Sequence, residues 1–332
     1  MSILSFTQAL CRPSIPVLCY HQVRPDSGMS PEKFGTHLDI IRKIGFDTIS
    51  LLDLYEIIQE KKSITSPSVV LTFDDCTLDN WIYAIPELQK RNMKGVFFAI
   101  TDDIMDGSAR KRSDQTASPL EIPPTPHIMS RALQGDKYFF MNRSEIFATV
   151  HELGMEVYSH TAAHQACYLD MTPTGQLSDR AHWSHHALSG YDAPPSTPTF
   201  PIGSAYAHNG WGKSWTGEEL QINSPDLRKK FCIKDFLQSK KTLEEILDKP
   251  CPFLCLPWGQ GDNITLEAAQ EAGFLGVLNL RYNAVCGKTD PFSIGRLSVS
   301  SRRKKIWLLT KLLLLAHSTS ARTINRLRWR RP

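Results

Sequence analysis

Residues 68–75 read SVVLTFDD. Six uncharged residues, rich in β-branched and aromatic types, predict a strand buried on both faces, and such strands belong to parallel sheets covered by helices. Similar runs recur: PVLCY at 16–20, FDTIS at 46–50, GVFFAI at 95–100, MEVYS at 155–159, PFLCL at 252–256, FLGVLNL at 274–280 and FSIGRLSV at 292–299. Helix-patterned stretches lie between them. One begins at Ser30-Pro31 and stops at Gly45, another is capped by Asn142 and stops at Gly154, and others span 51–61, 79–92, 226–247 and 264–272. Seven or eight buried strands alternating with helices predict an α/β protein, its parallel sheet doubly wound or closed into a barrel. In both architectures polar groups that do chemistry gather just past the C-terminal strand ends.

The 332 residues are 41% hydrophobic and 22% charged, a globular composition without collagen-like or coiled-coil repeats. No apolar run approaches the ~20 residues of a membrane helix. The N-terminal MSILSFTQALCRPSIPV lacks a basic start, so a secretory signal is not expected. The eight cysteines form no CxxC pair, and reduced thiols in the cytoplasm are the expectation. The net charge of +4 hides an asymmetry: ten Lys/Arg and no acid follow Ser301, leaving residues 1–301 with 28 basic and 34 acidic side chains. The division expected is a catalytic body over 1–301 and a basic amphipathic tail over 302–332. Nucleic acid is not an expected partner of so acidic a body. In the tail, RRKKIWLLTKLLLLA at 302–316 joins cations to a Trp-bearing apolar helix too short to span a bilayer. It suits the surface of an anionic inner leaflet, and docking on the core is the other reading.

Residues 101–140 and about 165–223 break the strand–helix rhythm. They are rich in Pro, Ser, Thr, Gly, His and Trp and show little period. Long insertions directly after strands are expected to be lids or substrate grooves, or else mobile surface segments.

Three strand ends carry polar residues of interest. SVVLTF runs into Asp74-Asp75, two adjacent carboxylates whose repulsion and burial a bound cation relieves; a solvated turn is the ordinary alternative. MEVYS runs into SHTAAH, where His160 and His164 stand four apart; two surface histidines are the ordinary alternative. Together they supply two imidazoles and a carboxylate with open positions, the donor set of a catalytic metal site. PFLCL runs into the Leu256-Pro257-Trp258-Gly259 turn, with backbone N–H groups and an apolar wall.

VLTFDD, SHTAAH and LPWG, in that order and preceded by VLCYH at 17–21, resemble the polysaccharide deacetylases of the NodB-homology class. The resemblance covers about half the chain. It implies a distorted (β/α) barrel of about seven strands and metal-dependent removal of acyl groups, most often N-acetyl, from carbohydrate. It also implies Asp74 as general base and Asp75, His160 and His164 as ligands of a divalent metal, zinc by default. Pro257, Trp258 and Gly259 then line the substrate site, with a Trp258 N–H facing the oxyanion. The sequence departs from the family pattern in three places. Cys76 stands where a glycine follows Asp-Asp. The arginine before the Pro-aromatic-Gly turn is missing, with Arg296 a candidate replacement. The late Leu-x-His has only a weak counterpart ending at His317. Tyr20-His21 instead resembles a permuted, poly-N-acetylglucosamine deacetylase-like subgroup, which implies His21 as general acid. These departures motivate a second reading, a non-catalytic glycan-binding or scaffold barrel. With the tail on the inner leaflet, the substrate expected is a lipid-linked or nascent surface glycan, acetylated or formylated. His182, His185 and His186 read as an inserted polar loop, Cys251 and Cys255 as core thiols, and Trp211 and Trp215 as sugar-stacking or loop-packing residues.

Overall fold

The computed structural model describes residues 13–26, 28–178, 181–213, 220–299, 305–321 and 323. Strands β1 (Val17–Tyr20), β2 (Asp47–Thr48), β3 (Ser68–Phe73), β4 (Val96–Ala99), β5 (Glu156–Ser159), β6 (Phe253–Cys255), β7 (Gly276–Asn279), β8 (Ile294–Gly295) and β9 (Leu297–Ser298) form one sheet. Every pairing in it is parallel, in the order β1–β3–β4–β5–β6–β7–β8. β8 and β9 are one extended segment divided at Arg296. Its first half lies on β7, Ile294 opposite Leu278, and its second half on β1, Leu297 opposite Leu18. This segment closes the ring into the distorted barrel expected. β2 stays outside, pairing only with Ser68 and Val69 at the start of β3.

β3 is buried at all six positions, as a strand with helices on one side and the barrel interior on the other must be. Phe73 stacks on Phe97 at 4.7 Å and on Tyr20 at 5.5 Å, joining three neighbouring strands. Helices α1 (Pro31–Lys43), α2 (Leu51–Ile58), α3 (Arg143–His151), α4 (Pro225–Leu247) and α5 (Asn263–Glu271) lie between the strands in sequence. Ser30 and Asn142 cap α1 and α3 as expected, each accepting a backbone N–H three residues on.

The two insertions are more regular than their sequence suggests. Residues 166–168, 202–204, 211–213 and 220–222 form a small antiparallel sheet, and 175–176 pair with 198–199. Helices Thr125–Leu133 and Trp183–Ser189, one from each insertion, pack against each other. Strands of two or three residues are too short for alternation to register, which corrects the expectation of little periodic structure.

The described part of the tail contains helix α6 (Lys305–Leu315). It packs on α1 and buries Leu308, Leu312 and Leu315 in the main core, leaving Ile306, Leu313 and Leu314 exposed. One face of this helix is thus committed to the barrel. Among the described residues, no helix is long and apolar enough to cross a membrane.

Candidate active site

Four parallel strands end at one mouth of the barrel, and the residue after each end turns into it. Tyr20 precedes His21, Phe73 precedes Asp74 and Asp75, Ser159 precedes His160, and Cys255 precedes the turn Pro257–Gly259. The backbone there is held in an uncommon form. Asp75, Cys76, Thr161, His164 and Trp258 all have positive φ, between 46° and 73°. Non-glycine residues in this region cost of order 1–3 kcal/mol each and persist where the surroundings over-determine them. Cys76, at φ 49°, occupies the position where the family resemblance expects glycine.

Asp74 is fully enclosed. Arg296 donates to it through both ends of the guanidinium, Nη1 to Oδ1 at 2.6 Å and Nη2 to Oδ2 at 2.9 Å, and Nη1 also donates to Thr72 Oγ1. The thiols of Cys19 and Cys255 lie 3.5 and 3.7 Å from the carboxylate oxygens. Burial alone raises this acid's pKa, but the Arg296 charge, then the His160 charge, outweigh it and hold the carboxyl well below the usual range. The arginine missing from its expected place near the Pro-Trp-Gly turn is therefore supplied by the strand that closes the barrel. Gly295, just before it, is dictated by contact: a Cβ there falls 1.8 Å from the Arg281 carbonyl.

Asp75 faces the histidines. Its Oδ1 lies 3.5 Å from His160 Nε2 and 3.9 Å from His164 Nε2. Donors bound tetrahedrally at ~2.1 Å stand about 3.4 Å apart, so the set fits one small divalent ion. His160 Nδ1 lies 2.9 Å from the Cys255 carbonyl, which only accepts, so Nδ1 carries a proton and Nε2 is the nitrogen left facing Asp75. Burial, and then neighbouring His160, push His164 down to about 4, which keeps its ring neutral and able to ligate. Burial raises the Asp75 pKa, but the His160 hydrogen bond and the nearby imidazole charges bring it down overall. Asp75, His160 and His164 form one of three close sets of potential metal donors among the described residues; the others are Cys19–His21–Asp74 and Asp74–His160–Cys255. Arg296 already fills the oxygens of Asp74, which leaves the Asp75 set as the one with free donors.

His21 sits at the rim, its Nε2 3.9 Å from Asp74 Oδ2 and its side chain 49% exposed. Burial of the ring lowers its pKa, but Cys19 and the carboxylates of Asp74 and Asp75 draw it upward overall. The alternative acid, His317, does not reach this mouth. It bridges Pro13, four residues before β1 begins, at the opposite end of the barrel. Opposite His21, the Trp258 ring lies 4.7 Å from the His164 ring and stacks at 6.3 Å on Trp183. Gly259 is required by the fold, since a Cβ there falls 2.4 Å from Leu280 N. Every residue assigned to the site by sequence thus meets at one mouth.

Other functional residues emerge only in three dimensions. Asp235, on α4, is buried and accepts from the N–H groups of Ala162 (2.8 Å) and Ala163 (3.1 Å) and from the Tyr206 hydroxyl (2.9 Å). It holds the turn that aims His160 and His164. Burial raises its pKa to about 7 against those three bonds. Asp79 does the same for the His21 loop, accepting from Val23 N at 2.6 Å, while Asn80 donates to the His21 carbonyl. Trp183 comes from AHWSHH, whose histidines join none of the donor sets among the described residues. Cys251 and Cys255 are both core thiols, and Cys255 also borders Asp74. Trp211 packs in the insertion cluster, and Trp215 lies outside the described residues.

A family model described as polysaccharide deacetylase matches residues 61–277. A putative polysaccharide deacetylase, YxkH of Bacillus subtilis (strain 168), is 29% identical over 92 residues, which cover 27% of this chain and 33% of YxkH. The match therefore spans about a third of the length of that relative. Several solved structures share the fold, among them these three. IcaB from Ammonifex degensii superposes with a TM-score of 0.59 at 20% identity, covering 90% of this chain and 98% of that one. A de-N-acetylase from Aggregatibacter actinomycetemcomitans gives 0.61 at 16%, covering 89% and 99%. The BpsB deacetylase domain from Bordetella bronchiseptica gives 0.59 at 15%, covering 86% and 96%. With the family model spanning both the Asp-Asp strand end and the histidine turn, the chain belongs to the polysaccharide deacetylase family.

Proposed function

We propose that this protein is a metal-dependent carbohydrate deacetylase that hydrolyses an N-acetyl group from an amino sugar of a glycan. The observation that carries this reading is one enclosed, ionised carboxylate, Asp74, beside a three-donor set, Asp75–His160–His164, at the same strand ends. The donor set favours zinc, which when bound supplies a Lewis acid for the acyl carbonyl and lowers the pKa of water. Asp74 accepts the proton of the attacking water. Arg296 guarantees that this acid is ionised and aimed, at the expense of its basicity. His21, protonated and open to the cleft, delivers a proton to the departing amine. The backbone N–H of Trp258 faces the oxyanion. The rings of Trp258 and Trp183 form an apolar wall for the acyl methyl.

The relatives named as polysaccharide deacetylase and de-N-acetylase support acetyl over other acyl groups. Supply of the orienting arginine by Arg296 removes one motive for the non-catalytic reading. We further propose a cytoplasmic protein that rests on the inner leaflet through the outer face of α6, acting on a lipid-linked or nascent glycan. The exposed Ile306, Leu313 and Leu314, beside the basic stretch that precedes the helix, support this. Ile306→Ser/Leu313→Ser is expected to abolish salt-sensitive binding to anionic vesicles while leaving the fold intact; undiminished binding rejects the membrane reading.

Metal analysis coupled to acetate release from N-acetylhexosamine oligomers tests the catalytic proposal. About one divalent ion per chain and loss of acetate release on chelation are expected. Chelator-insensitive turnover rejects the metal mechanism, and release of formate instead reassigns the acyl group.

A further inference from the structure

Two thiols flank Asp74, and one of them completes a second donor set that opens to the mouth. Cys19, on β1, brings its Sγ to 3.5 Å from Asp74 Oδ2 and 3.8 Å from His21 Nδ1. His21 Nε2 lies 3.9 Å from the same carboxylate oxygen. Sulfur bound to an ion at ~2.3 Å, with nitrogen and oxygen at ~2.1 Å, places tetrahedral donors about 3.4–3.6 Å apart. The observed spacings close to these with shifts of no more than about half an ångström. Cys19 and Asp74 are buried, whereas the His21 side chain is half-exposed and gives an ion a way in from the cleft. The set Asp74–His160–Cys255 has no such entry, since all three residues are buried. Its histidine is also engaged, with Nδ1 on the Cys255 carbonyl and Nε2 facing Asp75.

We infer that Cys19, His21 and Asp74 form an inhibitory site for a thiophilic divalent cation, sharing no donor with the Asp75–His160–His164 set. Thiolate ligands select soft ions, and the Asp75 set offers no sulfur. The ion takes the place of protons. Cys19 Sγ gives up the proton it donates to Asp74 Oδ2, and His21 gives up one proton of its imidazolium, both to solvent. Two positive charges arrive and two leave, so the buried Arg296 guanidinium meets no added charge. Asp74 Oδ2 accepts one hydrogen bond from Arg296 Nη2 and has a second lone-pair site for the ion. Inhibition follows from the groups engaged, because one ion then holds both the base and the acid of the reaction. That consequence rests on the roles proposed for Asp74 and His21, whereas binding of the ion does not.

Cadmium is the probe, read by the ultraviolet charge-transfer absorption of a cadmium–thiolate bond. It is titrated into zinc-loaded wild type, Cys19→Ser, Cys255→Ser and His21→Gln, with bound zinc and acetate release followed in parallel. Wild type is expected to show the thiolate band on the first equivalent of cadmium, to keep its zinc and to lose acetate release. Cys19→Ser loses that band and needs at least about 10-fold more cadmium to halve its own activity. His21→Gln binds cadmium at least about 10-fold more weakly, and Cys255→Ser keeps the band. A band undiminished in Cys19→Ser, or lost in Cys255→Ser instead, overturns the site, as does inhibition that tracks the release of zinc. Where Cys19→Ser does not fold, His21→Gln decides, its side chain being half-exposed, and unchanged cadmium affinity overturns the site. If wild type releases no acetate even without cadmium, the catalytic reading fails separately, and the band still decides whether the ion binds at Cys19.

Discussion

Asp74 and Asp75 are consecutive, both stand at the end of β3, and their surroundings are opposite in kind. The Asp74 corner is held by the protein's own charge: a buried guanidinium donates to both oxygens, and two thiols lie beside them. The Asp75 corner faces imidazoles that lie at ligand spacing, and among the described residues no Lys or Arg forms an ion pair with it. One acid has its charge balanced by an arginine, and the other faces only imidazoles among the described residues. Two neighbouring groups whose environments separate their chemistry is a recurrent way of dividing acid–base work from other roles.

The difference can be broken first through stability. Asp74→Asn strands the Arg296 charge in the core, and leaving a buried partner uncompensated costs about 3–5 kcal/mol. Asp75→Asn strands no fixed cation, so its metal-free form is expected to lose no more than about 1 kcal/mol. Denaturant unfolding in chelator compares the two directly, and similar losses refute the distinction. Turnover sharpens the same contrast. Asp74→Asn/Arg296→Met removes both buried charges and is expected to regain most of the stability, yet remain about 10²–10⁴-fold below wild type in acetate release. Recovery of turnover with stability removes Asp74 from the reaction.

Smaller effects test what holds the histidine side. Asp235→Asn weakens the acceptor for two backbone N–H groups behind His160 and His164, and metal affinity is expected to fall about 10–100-fold, the usual reach of a group that positions ligands. Titration with zinc reads this, and unchanged affinity reduces Asp235 to a structural acid. Tyr206→Phe deletes one hydrogen bond to the same carboxylate and is expected to cost only about 1 kcal/mol in thermal unfolding, with metal binding nearly intact.

The legible part of this molecule lay where local pattern and tertiary role coincide. SVVLTF is apolar because β3 is buried on both faces, so the acids that follow it had to lie at a strand end. The same held for His21, His160 and the Pro257–Gly259 turn. Arg296 was readable only as one candidate, because 222 residues separate it from Asp74 and only closure of the barrel brings them together. Asp235 left no signal, since an acid on a long, highly charged helix resembles any solvated one. Trp183 was hidden for another reason: the insertion strands are too short to show period, so the fold that returns AHWSHH to the mouth was invisible. The tail helix was half legible. Its leucines were read for their amphipathic character, but spacing alone does not say that 308, 312 and 315 meet α1.

Zinc binding to chelator-treated wild type, Asp74→Asn and Asp75→Asn, measured by calorimetry, tests the division between the two acids most directly. Asp74→Asn is expected to bind like wild type, and Asp75→Asn at least about 10-fold more weakly. Equal binding by the two variants, or loss in Asp74→Asn alone, contradicts it.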